Sequence, residues 1–203
     1  MIINSFGSLK SELARYMFHQ RFAPDYDTAV QNFEAMTNRR LRVLPMETST
    51  FLTTVAGDVA LPLDYLTWRT VKHPAQPYLD EIDYVHPAYL TARASGPCPP
   101  LFTIEGKTFK VRPVDDAANA WEFHYYQRIP TILTGENASN WLMDAHSDFY
   151  LEGSLTELFA LGRNGDAAQL HKARRDEIMA EIIQSYAMTT GATSQAVRTA
   201  EYF

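Results

Sequence analysis

One cysteine, Cys98, is all that the 203 residues carry. A single thiol excludes an internal disulfide and a zinc site built on paired cysteines. Long apolar runs are missing too. No stretch approaches the roughly 20 residues that a membrane-spanning helix needs. The opening MIINSFGSLK lacks the basic start and apolar core of a signal peptide, so a cytoplasm-like compartment is expected. Positive charge is in deficit: 18 Lys and Arg face 24 Asp and Glu, a net −6. That balance argues against wrapping nucleic acid by phosphate neutralisation, although a wall that DNA slides past would tolerate it. The nucleotide-binding and nucleophile-elbow signatures G-x-x-x-x-G-K-[ST], G-x-G-x-x-G and G-x-S-x-G are absent. There is no internal repeat and no low-complexity segment.

What is present is enough for a globular core, with 46% hydrophobic residues against 21% charged. Eleven Tyr and eleven Phe fit either extensive interfaces or a β-rich core. Residues 8–42 read as two helices. Leu9, Leu13, Tyr16 and Met17 form one stripe, and Tyr26, Ala29, Val30, Phe33 and Met36 the other. Between them lies Pro24, with Asp25 or Asp27 as the cap. Arg39, Arg40 and Arg42 gather where the helix dipole favours cations.

Residues 45–130 hold most of the prolines and the short alternating runs. TFLTTVAGDVALP suggests two strands around Gly57-Asp58, and YLTWRTV another. LFTIEGKTFKVRP predicts a hairpin turning at Glu105-Gly106, with Phe102 opposite Phe109. AWEFHYYQR alternates Trp121, Phe123 and Tyr125 against Glu122, His124 and Tyr126. HPAYLTARAS suggests a short helix. Residues 139–188 return to helix. Leu151, Leu155 and Leu158 share a stripe, GRNGD breaks it with glycine suited to a left-handed cap, and Leu170, Ile178, Ile182, Ile183 and Tyr186 line the last helix.

The order therefore predicts an α+β fold: a four-helix bundle of two N-terminal and two C-terminal helices, with a small antiparallel β subdomain inserted. The expected boundaries are 1–44 and 133–188 for the helix pairs, 45–132 for the insertion, and 189–203 for a C-terminal arm.

Few constellations could carry chemistry. Asp144, His146 and Asp148 form D-x-H-x-D, which shares one face on a strand but not on a helix. The flanking pattern is helical, so capping is the plainer role: Ser139 or Asn140 opens a short turn, and Asp144, Ser147 or Asp148 starts the long helix. His124 has Glu122 two residues away on the same strand face, a general-base pair or an ordinary surface pair. His171, Lys172, Arg174 and Arg175 are interleaved with acids. They read as a solvated helix face or, more sharply, as a contact with a neighbouring subunit. The tail to Tyr202-Phe203 is a loose end or an arm that orders on a partner.

Four segments in order carry a family likeness: LPLDYLTWRTV (61–71), PLFTIEGKTFKVRP (100–113), FHYYQRIPTI (123–132) and NWLMDAHSDFYLEGSLTEL (140–158). With NFEAMTNRRLRVLPME before them, they resemble the head-to-tail adaptor proteins of tailed bacteriophages. The matching positions are Leu61, Pro62, Asp64, Tyr65, Pro113, Tyr125, Tyr126, Ile129, Pro130, Asn140, Trp141, Leu142, Asp148, Tyr150 and Leu151.

The resemblance implies a non-enzymatic virion protein of the neck, assembled in the host cytoplasm, without cofactor or metal. Its copies would form a ring, typically dodecameric, beneath the portal. The ring would lengthen the channel for double-stranded DNA and offer a surface to a tail or nozzle protein. The helical part would meet the portal and neighbouring copies, and the β insertion would face outward or tailward. On that view Gly191, Arg198, Tyr202 and Phe203 are candidates for the portal contact. Arg39, Arg40, Arg42, Arg174 and Arg175 are candidates for subunit contacts. The alternatives are another neck, tail-completion or tail-tube protein, a small metal-dependent hydrolase using His124, His146, Asp144 or Asp148, and a ligand-binding module with its pocket between bundle and sheet.

Overall fold

A computed structural model of the chain describes residues 3–17, 25–73, 81–91, 99–113 and 119–189. Cys98, Pro24 and the tail candidates Gly191, Arg198, Tyr202 and Phe203 lie outside the described residues. In chain order the elements are α1 (Phe6–Met17), α2 (Tyr26–Arg40), β1 (Glu47–Thr54), β2 (Asp58–Ala60), β3 (Tyr65–Lys72), β4 (Asp83–Tyr84), α3 (Pro87–Thr91), β5 (Leu101–Glu105), β6 (Thr108–Arg112), β7 (Asn119–Gln127), α4 (Trp141–Ala145), α5 (Ser147–Leu161) and α6 (Gly165–Thr189). They fall into two units. One takes Met1–Pro45 with Ile129–Phe203, the other Met46–Arg128.

The helical unit is organised around α5. Phe149, Tyr150, Gly153, Ser154, Leu155, Thr156, Leu158 and Phe159 of this helix are all buried. Together they occupy nearly every direction round the axis, the pattern of a helix enclosed by others rather than lying on a surface. Helices α1, α2, α4 and α6 all pack against it. Helix α1 contributes Phe6, Leu9, Leu13 and Met17. Helix α2 is opened by Asp25, whose carboxylate accepts from the Thr28 N–H at 3.0 Å; it buries Ala29, Val30, Phe33, Glu34 and Thr37. Helices α2 and α5 meet at Gly153. A Cβ built there would stand 2.1 Å from Cδ2 and Cε2 of Phe33, and the Phe33 ring lies edge-on to Phe149 and Tyr150 at 5.0 and 5.1 Å.

At the end of α5 the left-handed residue is Arg163, with φ 57°, and not Gly162, whose φ is −75°. The Arg163 N–H donates to Ala160 at 3.1 Å and the Asn164 N–H to Phe159 at 2.9 Å, the two bonds of a Schellman turn. Asn164 then accepts from the Ala167 N–H at the start of α6. The turn geometry sets which residue goes left-handed, and glycine lies one position too early to take that role.

The second unit holds two sheets, ordered β1-β7-β3 and β2-β6-β5-β4. They enclose a core of Leu52, Leu61, Val71, Ile82, Phe102, Phe109, Val111, Trp121, Phe123 and Tyr125. The hairpin of β5 and β6 turns at Gly106-Lys107, one residue later than expected: Glu105 pairs with Thr108, Phe102 with Val111 and Ile104 with Phe109. Gly106, at φ 63°, takes the first central position, where a II′ turn needs a positive φ. Moving a turn by one residue changes partners but keeps faces, so Phe102 and Phe109 still meet within the core, their ring centroids 5.5 Å apart and the planes tilted by 34°.

These findings overturn the four-helix bundle with a small β insert. Among the described residues the fold is α+β, with six helices and with seven strands in two sheets. Two physical reasons account for the error. Helix α5 is surrounded, so the helices are not four equivalent members of a bundle. Strand β4, of two residues, is too short to show alternation, and pairing between strands distant in the chain divides what looked like one small sheet into two sheets around their own core. The buried stripe of α6 also differs from expectation. It runs through His171, Arg175, Met179 and Ile182, at 7%, 4%, 6% and 1% exposure, whereas Leu170 and Ile183 stand 54% and 42% exposed.

The contact at Gly153 makes a direct prediction. Gly153→Ala should destabilise the fold by about 3 kcal/mol, the upper range for overpacking a core, in urea unfolding. Adding Phe33→Leu should recover part of that loss, so that the double variant is more stable than the sum of the singles.

Candidate interaction surface

The segment that returns the chain from the β unit, Ile129–Ile132, is tied to α2, α4 and α5 by buried polar groups. The Ile129 N–H donates to Asn38 Oδ1 at 2.9 Å. The Ile132 N–H donates to Glu34 Oε1 at 3.0 Å, and the Tyr150 hydroxyl donates to the same oxygen at 3.2 Å. Asn140 completes the chain of bonds. Its Nδ2 donates to the Tyr150 hydroxyl at 2.7 Å and to the Pro130 carbonyl at 2.6 Å, while its Oδ1 caps α4 by accepting from the Met143 N–H at 2.9 Å. Burial raises the Glu34 carboxyl above the usual carboxylate range, against the opposing hydrogen bonds from Thr131, Ile132 and Tyr150. Burial and the Glu34 charge push the Tyr150 phenol up.

This cage fixes the C-terminal end of α2, where three predicted contact residues sit. Arg39 is exposed. Arg40 reaches α6, its Nη1 lying 3.2 Å from Asp176 Oδ1. The same oxygen accepts from Arg175 Nη2 at 2.8 Å and Nε at 3.1 Å. Burial works against ionisation of Asp176, but the bonds and charges of Arg175 and Arg40 outweigh it and hold its carboxyl below the usual range. Arg42 turns back on its own helix, donating to the carbonyls of Asn38 and Leu41. A second cluster lies along α5 and α6. Glu152 takes His171 Nδ1 at 2.6 Å and Arg174 Nη1 at 3.7 Å, and the His171 ring stacks on Phe159 at 5.1 Å.

The fold thus brings Arg40 and Arg175 to one carboxylate and leaves Arg39 and Arg174 outermost. Arg175, a candidate for subunit contact, is buried within its own chain, so its charge is already spent on Asp176. Sequence reasoning missed Glu34. Its one signal was spacing, since Val30, Glu34 and Thr37 continue the apolar stripe of α2.

The D-x-H-x-D residues do not converge. Asp144 accepts from the Ser139 hydroxyl at 2.5 Å, His146 forms the junction of α4 and α5, and Asp148 accepts from the Phe149 N–H. No group of three or more His, Cys, Asp and Glu is placed to hold a metal ion among the described residues. His124 Nε2 lies 3.1 Å from Glu122 Oε1 on a part-exposed strand face.

A comparison with protein families matches residues 4–199 to the SU10 adaptor protein family. The chain belongs to that family, one of bacteriophage head–tail adaptors. No curated protein matches the sequence significantly. Membership makes this chain a structural phage protein that associates with other head or tail proteins. No helix among the described residues is long and apolar enough to cross a membrane.

Several of the positions that carried the likeness act as fasteners within the fold. Pro130, Asn140 and Tyr150 belong to the Glu34 cage. Asp64 accepts from the Tyr125 hydroxyl at 3.0 Å, and burial together with that carboxylate pushes Tyr125 up to about 12. The Tyr65 hydroxyl accepts from the Trp68 N–H at 3.1 Å.

Two Glu34 variants test the cage. Glu34→Ala should destabilise the adaptor by about 2–4 kcal/mol, because two buried donors lose their acceptor. Glu34→Gln probes the charge. A raised carboxyl binds its proton more readily folded than unfolded, so its contribution to stability falls as pH rises from the ordinary Glu value, about 4.3, through the folded value. Unfolding measured between pH 4 and 8 should therefore show the wild type losing stability relative to Glu34→Gln as pH rises; parallel curves would contradict this.

Proposed function

We propose that the adaptor forms a closed ring of identical copies beneath the portal of a tailed phage. In this reading the ring, expected to be dodecameric, extends the DNA channel and presents the surface to which the tail or nozzle attaches. The single observation that carries the reading is the family match over residues 4–199. The chain's physics is compatible with it. Head-to-tail contacts between asymmetric wedges close into rings when the rotation fits. The exposed Arg39 and Arg174, with the half-exposed Arg40, are the proposed charged contacts to the next copy. Tyr16, Leu161, Leu170 and Ile183, all more than 40% exposed, supply apolar area on the same unit. A net charge of −6 suits a conduit, since adhesion to phosphate would slow DNA passage. The segment from Gly191 to Phe203, with Arg198 and the two terminal aromatics, is the proposed portal-binding arm.

Electron microscopy and mass photometry of the purified chain, with and without the cognate portal, test this reading. Rings alone or on the portal are expected. Monomers that never bind a portal would remove it, and assembly on the tail alone would reassign the chain to tail completion. Truncation after Met188 tests the arm. The shortened chain should keep its circular dichroism spectrum and melting midpoint but lose portal binding at least tenfold. Undiminished binding would refute the arm's role.

A further inference from the structure

The two sheets of the β unit end in four edge strands, β1, β3, β2 and β4. An open edge offers a row of unpaired N–H and C=O groups to any other chain, and folded proteins blunt such edges by shortness, bulges or charge. Three of the four are blunted. Strands β2 and β4 have three and two residues. Strand β3 breaks register twice, between Tyr65 and Thr67 and between Trp68 and Thr70. It carries the exposed Arg69 and Lys72, and its Val71 carbonyl accepts the Ile82 N–H at 3.0 Å.

Strand β1 has none of these devices. Its eight residues, ETSTFLTT, include no proline, glycine, lysine or arginine, and they pair with β7 in unbroken register. Along residues 47–53 no second strand is hydrogen-bonded to it among the described residues. Its one charged side chain, Glu47, is held by Arg69 of β3. Leu52 belongs to the core, so alternation turns Ser49, Phe51 and Thr53 the other way, and all three are exposed. Phe51 is 63% exposed and Val55, just past the strand, 73%. An unbulged, nearly uncharged edge and exposed apolar side chains thus coincide on one strand.

We propose that in the free chain β1 pairs antiparallel with β1 of a second copy, joining two three-stranded sheets into one continuous sheet. Charge and length select this occupant. A two-fold axis at Thr50 sets Ser49 opposite Phe51 of the second copy, Thr48 opposite Leu52 and Glu47 opposite Thr53, and each pair recurs on the other side of the axis. No charge then faces a like charge, which would destabilise the pairing. Directly opposite residues share a face, so both cores stay on one side of the joined sheet and each Phe51 is partly covered at the seam. Every other edge among the described residues is blunted, so β1 is the strand a second copy has to offer. A single strand seam buries less than a standard interface, which makes the dimer weak and reversible. The contact lies on the β unit and rests on neither the ring nor the portal arm.

Sedimentation velocity of the purified full-length chain from micromolar to millimolar, without portal, tests this together with NMR on a mixture of isotope-labelled and unlabelled copies. A monomer–dimer equilibrium is expected, with contacts between copies centred on Thr50. Ser49→Lys and Phe51→Lys should each raise the dimer dissociation constant by about tenfold or more, since lysine guards an edge against pairing. Both positions are exposed, so the melting midpoint should not change. Leu63→Lys alters a residue that is 98% exposed in the same unit but outside any strand, and it should leave the dimer intact. The proposal is overturned by a chain that stays monomeric throughout, by rings that form without any two-fold species, by unchanged association in both β1 variants, or by equal loss in Leu63→Lys. Protection of the β1 amides from hydrogen exchange only when portal or a tail protein is added would also overturn it, assigning the edge to a foreign strand. Phe51→Lys should still assemble on the portal, so loss of the dimer and failure of the ring reading are told apart.

Discussion

Helix α5 is enclosed, and the helical unit depends on how its neighbours accept that. Two contacts from α2 decide it. Phe33 lies flat against the space that Gly153 leaves empty, which lets the helices approach closely at that level. One residue on, Glu34 carries a carboxylate into the same interior and is met there by Tyr150 of α5 and the backbone of Ile132. Apolar packing alone would allow α2 to slide or rotate along α5. A buried carboxylate with fixed donors does not, since any shift leaves charge unpaired in a poorly solvated place. The raised carboxyl of Glu34 is the mark of that tension: burial disfavours the charge, and the surrounding donors offset part of the cost.

The cage also shows what several of the positions that carry the family likeness do within the chain. Asn140 links the Pro130 carbonyl, the Tyr150 hydroxyl and the first turn of α4, so three separated segments share one side chain. In the β unit Asp64 and Tyr65 do comparable work around Tyr125 and Trp68. Residues of this kind hold the shape of each unit. Charge follows the same division. Asp176 and Glu152 gather Arg40, Arg175 and His171, so the cationic groups that remain outermost are fewer than the sequence suggests.

Much of this was legible from residues alone. Phe6–Met17 and Tyr26–Arg40 announce themselves by apolar spacing, a cap at Asp25 or Asp27 by its position, of which the structure takes Asp25, and Trp121, Phe123 and Tyr125 by alternation. A cap at Ser139 or Asn140 followed from the helical pattern after it, and the structure gives the role to Asn140; the same pattern kept Asp144, His146 and Asp148 apart. Less was legible where partners lie far along the chain. His171 and Arg175 look like a solvated face because only Glu152 and Asp176, placed by folding, make burial tolerable. Strand β4, of two residues, had too few to show a period.

Local periodicity and capping chemistry are properties of consecutive residues, so the sequence by itself determined where most of the helices and strands lie and, for the most part, which apolar positions of α1, α2 and β7 seek a core. It also determined the family, through the order of its motifs. The tertiary structure alone decided that α5 would be surrounded rather than one of four, that the strands would divide into two sheets, and that Glu34, His171 and Arg175 would go inside. Each of those outcomes depends on pairing groups distant in the chain, and whether a charge may be buried is settled only by the partner that meets it.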